Sequence, residues 1–185
     1  MTLEEINQVV DTVDNNMGYF QEIGQPIIEF YAESLDALMS NIQQVLNSPN
    51  AAEVTTNNLQ LFFLNLTSEV YQTASNVERI GLLMDLANMN YKDAFNTSLL
   101  NNSSQDAKLT VAKLNAIADK ESLRENVLNF IYARTYKILK AKVDAANEMI
   151  RTLSKLISFR MQNNSQYDDK FEVNTKQLLL ESGNR

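Results

Sequence analysis

The sequence predicts an all-α fold: an elongated antiparallel helical bundle with two long helices and coiled-coil-like packing. Three observations carry this reading. Gly and Pro number only 4 and 2 among 185 residues, too few for the many tight turns of an all-β fold. One helical period accounts for every apolar run longer than six residues. Two segments hold that period long enough to make helices of roughly 58 and 63 Å at 1.5 Å per residue.

The first element opens with Thr2 and Glu5 at capping-box spacing, and Ile6, Val9, Val10, Val13 and Met17 follow as one stripe. Gly18 and Gly24 bracket an expected break. Pro26 then falls in the first turn of a second helix, where its missing N–H costs nothing. That helix carries Ile28, Tyr31, Leu35, Leu38, Ile42 and Val45, and the turn Asn47-Ser48-Pro49-Asn50 ends it.

The third element is the strongest periodic signal. From Leu59 the series runs Phe63, Leu66, Val70, Thr73, Val77, Ile80, Met84, Ala87, Tyr91 and Ala94. Steps of 4 and 3 alternate without a slip, as coiled-coil packing requires, and Thr73 is the one polar member. A helix from about Asn57 to Phe95 is expected. Asn96 to Ala107 (NTSLLNNSSQDA) is polar and turn-rich, so a loop is expected there. A short helix over Thr110 to Ala118 leads to the fourth element, about Glu121 to Gln162. Its length matches the third, and the intervening loop lets the two lie antiparallel.

Residues 163–185 read as a polar tail, with Gln177 to Leu180 as a docking turn. The resulting organisation is a helical pair over 1–50, a long-helix hairpin core over 51–162 and the tail over 163–185, one domain in all. A slender bundle buries too little apolar surface alone, so a homo-oligomer larger than a dimer is expected.

Composition excludes several function classes. Cys, His and Trp are absent, which removes disulfides, thiolate and imidazole metal ligands, Cys nucleophiles and His-based triads. Glu4/Glu5 and Asp168/Asp169 are adjacent pairs that diverge on a helix, so neither makes an acid/base dyad. Phosphate loops and nucleophile elbows are missing too. The chain is therefore expected to be no enzyme and to carry no cofactor or metal. No stretch approaches 18 apolar residues, and MTLEEINQVV carries acids where a signal peptide needs bases. A cytoplasmic protein without a membrane partner is expected.

Charge is divided unequally. Residues 1–107 hold Arg79 and Lys92 against 14 acids, residues 108–162 hold 11 bases against 5 acids, and the whole chain carries −7. One segment is thus basic inside an acidic protein. Its bases either complement acidic neighbours within the bundle or form a polyanion site, and the two can coexist. In FIYARTYKILKAK the aromatics Phe130, Tyr132 and Tyr136 interleave with Arg134, Lys137, Lys140 and Lys142. Stacking on aromatics with phosphate pairing by Lys and Arg is how single strands are held without sequence readout. On a helical wheel Tyr136, Lys137, Lys140, Arg151 and Lys155 share one sector with Asp144 and Glu148. The candidate single-stranded DNA site is therefore Tyr132, Arg134, Tyr136, Lys137, Lys140, Lys142, Arg151 and Lys155.

Arg124, Lys142 and Arg160 recur every 18 residues, five full turns, and fall at the centre of the sector formed by Val127, Leu128, Ile131, Ile138, Leu139, Met149, Leu153, Leu156 and Ile157. Burying an unpaired cation is expensive. Arg124 and Arg160 lie near helix ends and can snorkel. Lys142 needs either a bundle carboxylate or a wet internal channel.

The segment TVAKLNAIADKESLRENVLNFIYARTYKILKAKVDAANEMIRTLSKLISFR, Thr110 to Arg160, resembles the C-terminal half of phage recombination mediators of the UvsY type. The resemblance rests on Ala118-Asp119-Lys120 at the end of a short helix, then Tyr132 or Tyr136, Ala145-Ala146, Arg151 and Arg160 along a long one. The preceding helix, ending in Tyr91-Lys92-Asp93-Ala94, extends the likeness over about residues 57–160. It implies a helical oligomeric ring that binds single-stranded DNA and loads a recombinase onto it, displacing a single-strand-binding protein, in the host cytoplasm. The chain departs from the family in being acidic overall and in offering only Arg79 and Lys92 on its third helix. Two other readings stand beside it. An acidic helical protein could inhibit a host nuclease or defence complex by mimicking DNA with the carboxylates of 1–107, or the chain could be a helical virion or assembly protein.

Overall fold

The computed structural model of this chain describes residues 17–49, 53–105 and 109–182, with side chains described as far as residue 163 except that of Gln105. Among the described residues there is no strand, and the fold is all-α. Residues 17–19 are helical and run through a π-helical turn, Phe20–Gly24, into α1 (Gln25–Leu46). Then come α2 (Thr56–Gln105), α3 (Val111–Glu121) and α4 (Leu123–Ser182). The Thr2/Glu5 cap and the stripe from Ile6 to Val13 lie outside the described residues, as do the side chains of 177–180.

Two compact units share the long helices. One comprises Met1–Ser34 and Tyr71–Val143, the other Leu35–Val70 and Asp144–Arg185. In the first, Ile28 and Ala32 of α1, Val77, Ile80 and Ala87 of α2, and Ile131, Leu139 and Val143 of α4 are buried. In the second, Leu35 and Ile42, Leu59, Leu66 and Val70, and Ala146 and Leu153 take those roles. Fully burying a Leu or Ile is worth about 1.5–3 kcal/mol. The buried residues of α2 are members of the alternating 4 and 3 series, including Thr73 at 1% exposure.

The two long helices pack against each other. Within the first unit Gly81 meets Tyr136 while Ser98, seventeen residues on, bonds Glu121 of α3. Contacts that run down one sequence as they run up the other define an antiparallel pair. Thr55 starts α2 by accepting a bond from the Asn58 N–H at 3.2 Å. The expected turn after α1 is present, closed by Ser48 Oγ donating to the Val45 carbonyl at 2.8 Å.

Four expectations need correction. First, no break separates Gly18 from Gly24. The Gln25 N–H bonds back to the Phe20 carbonyl, making the wide turn. Pro26 falls in the first turn of α1, as expected, but the backbone before it is already helical, so its missing N–H and its ring must be accommodated there. A π turn immediately upstream makes room for such a ring. Gly24 is buried with no positive φ, and its role is close approach: a Cβ there would lie 2.6 Å from the Phe20 ring.

Second, Asn96 to Gln105 is helix and not loop. Ser98 takes the next seam position after Ala94 and is buried, donating its hydroxyl to Glu121 Oε2 at 2.5 Å. Asn102 donates to the same carboxylate at 3.3 Å and to the Ser98 carbonyl at 2.9 Å. The Ser103 and Ser104 hydroxyls donate to the Leu100 carbonyl at 3.0 and 2.7 Å. Turn-forming side chains that bond backward along a helix no longer compete with it.

Third, α4 continues beyond Gln162 to Ser182, through most of the segment read as a tail. Fourth, its buried line is Ile131, Thr135, Leu139, Val143, Ala146 and Leu153, so the seam is rotated away from Ile138, Met149 and Leu156 toward smaller residues. Leu156 is in fact exposed.

Candidate nucleic-acid interface

The candidate site is built on α4, and the start of that helix is defined tightly. α3 ends as the buried Ser122 donates both its N–H (2.9 Å) and its hydroxyl (2.7 Å) to the Ala118 carbonyl. The Asn126 N–H then bonds the Ser122 carbonyl at 3.0 Å and opens α4. A single residue thus joins the two helices and fixes the facing of everything downstream in the unit. With Ile131, Thr135 and Leu139 turned inward, Arg134, Lys137 and Lys140 are exposed.

The aromatic members are less free than the cations. The Cδ2–Cε2 side of the Tyr136 ring lies against Gly81, close enough that a Cβ at Gly81 would come within 3.2 Å. Lys140 Nζ stands over the same ring, 6.0 Å from its centroid, at the outer reach of a cation–π contact. Tyr132 is half-buried and lines a cavity of about 520 Å³ with Leu83, Leu86, Ala87 and Leu128. Phe130 is 44% exposed, and in sequence it stands among the same cations. It falls at i, with Arg134 at i+4 and Lys137 at i+7, so the three share one stripe.

The remaining members fall in two groups. Lys142 is half-buried and engaged with a partner. The other unit holds Arg151, exposed and donating to Glu148 at 2.5 Å, and Lys155, exposed. The Arg151 pair is two-thirds solvent-accessible on both sides, where a bridge contributes little and leaves the guanidinium available.

Arg124, Lys142 and Arg160 do not occupy the middle of the apolar seam, because that seam passes through Thr135 and Ala146 instead. Arg124 is exposed and lines the cavity beside Leu128. Arg160 is half-buried and donates to the Val54 backbone carbonyl. None of the three stands alone in a dry core, so no internal cationic channel is required.

Among the described residues no group of three or more Asp or Glu is placed to hold a metal ion, and no helix is long and apolar enough to cross a membrane. No protein-family model, curated protein or solved structure matches the chain.

Proposed function

We propose that this chain is a non-enzymatic mediator of phage recombination or repair. It binds single-stranded DNA as a helical homo-oligomer in the host cytoplasm and assists loading of a recombinase, in competition with a single-strand-binding protein. One observation carries the DNA-binding part: Arg134, Lys137 and Lys140 are exposed among aromatic rings on one helix of a chain whose net charge is −7. Exposed cations beside π faces recognise phosphate and base without reading sequence. Recombinase and single-strand-binding protein enter through the likeness of residues 57–160 to mediators of the UvsY type.

Charge reversal tests the reading. Changing Lys137, Lys140, Arg151 and Lys155 together to Glu removes phosphate contacts and leaves the buried line of α4 intact. Fluorescence anisotropy with a labelled oligonucleotide should then show affinity lost, while light scattering shows the oligomer retained. Wild-type protein that fails to bind at low salt would overturn the reading.

A second reading has its own observation. Glu22, Glu29 and Glu33 are all exposed and fall at i, i+7 and i+11 at the start of the described chain. A carboxylate stripe of that kind suits an acidic inhibitor of a DNA-binding groove. Such a protein, or a helical virion or assembly component, would leave oligonucleotides unbound.

A further inference from the structure

We infer that Phe130, and not Tyr136, is the ring on which a base stacks, and that Tyr136 is a positioning residue for Lys140. The inference rests on the single-stranded DNA reading above and assigns roles within its site. A stacking ring needs an open π face. Phe130 offers one: it is 44% exposed and no ring contact to it occurs among the described residues. Its stripe mates Arg134 and Lys137 are exposed too, one and two turns further along α4. A base on Phe130 thus has its flanking phosphates within reach of both cations, the arrangement that binds single strands irrespective of sequence.

Tyr136 is committed elsewhere. Gly81 holds one side of its ring, and Lys140 stands over its face at 6.0 Å. A base arriving there would have to displace the ammonium that should be pairing with phosphate. Occupied in this way, the ring limits the Lys140 side chain to fewer conformations and holds its charge on the outer surface of α4. Gly81 belongs to the same device, because a Cβ there would lie 3.2 Å from the ring and make it give way by a few tenths of an ångström.

The test uses the full chain and a labelled oligo(dT), with affinities from fluorescence anisotropy at low salt. Phe130→Ala should weaken binding about tenfold with the dependence on salt unchanged, since no phosphate contact is lost. Tyr136→Leu should weaken it only about as much as Lys140→Met, and the two together should cost no more than either alone. Phe130→Trp supplies a direct readout, because the chain has no other Trp: its emission should be quenched by oligo(dT) and restored by high salt. Wild-type affinity in Phe130→Ala, or an unquenched Trp in a variant that binds, overturns the inference while leaving the DNA reading standing. So does a loss in Tyr136→Leu that adds to that of Lys140→Met. Absence of binding by the wild type overturns both.

Discussion

Replacing Gly24 with Ala would set a methyl group 2.6 Å from two carbons of the Phe20 ring and 3.1 Å from Thr135 Oγ1. Overpacking of this kind costs about 1–3 kcal/mol. Against it stands the intrinsic preference of a helix for Ala over Gly, about 1 kcal/mol. The Phe20 ring is half-buried and can give way in part, whereas Thr135 is held at 0% exposure on α4. Overpacking wins, and the net loss should be about 1 kcal/mol. Gly18 is the internal control: it is helical and a Cβ there meets nothing within 4 Å. Gly18→Ala should gain about 0.5–1 kcal/mol. Urea unfolding followed by far-UV circular dichroism measures both, at one fixed protein concentration so that self-association does not shift the midpoints. With an m-value of about 1–3 kcal/mol/M the two midpoints should move in opposite directions by a few tenths of a molar or more. A Gly24→Ala protein as stable as the wild type would refute the close-packing account of that position.

Among the described residues Thr135 Oγ1 is buried without a hydrogen-bond partner, so Thr135→Val should stabilise by about 1 kcal/mol in the same assay; a loss of that size would mean the hydroxyl has a partner. Ser98→Ala removes the 2.5 Å bond to Glu121 and should cost about 1–2 kcal/mol, read as a lower urea midpoint with unchanged m. Light scattering at micromolar concentration should report more than two subunits, because Leu82, Leu86 and Met89 of α2 are each more than half exposed and such a stripe seeks cover. A clean monomer contradicts that expectation.

How far each element could be read depends on what fills its seam. Large apolar residues from Leu59 to Ala94 made α2 legible, including the polar Thr73 inside the series. The series went unread past Ala94 because Ser98 is polar and its neighbours are turn formers. Ser98 and Asn102 are satisfied by Glu121, which lies 23 residues away from Ser98, while Ser103 and Ser104 bond back to the Leu100 carbonyl. On α4 the buried line runs through Leu139, Val143, Ala146 and Leu153 at steps of 4, 3 and 7, and its small members Val143 and Ala146 carry a weaker apolar signal than Ile138, Met149 and Leu156 beside them. Gly24 reads as a break because what it is packed against, the Phe20 ring folded back over it and Thr135 from a distant stretch of sequence, leaves no mark in its own neighbourhood. In the candidate site the exposed cations followed directly from their spacing on α4. The division of labour between Phe130 and Tyr136 did not, since it depends on Gly81 of another helix.

The salt dependence of oligo(dT) affinity tests the central claim most directly. Arg134, Lys137 and Lys140 are three exposed cations, and each phosphate neutralised on a single strand contributes about −0.7 to the slope of log affinity against log salt. A slope of about −2 per protomer, or steeper where Arg151 and Lys155 also engage, is the predicted result. Failure to bind oligo(dT) at the lowest salt, or binding whose affinity is indifferent to salt, would contradict it.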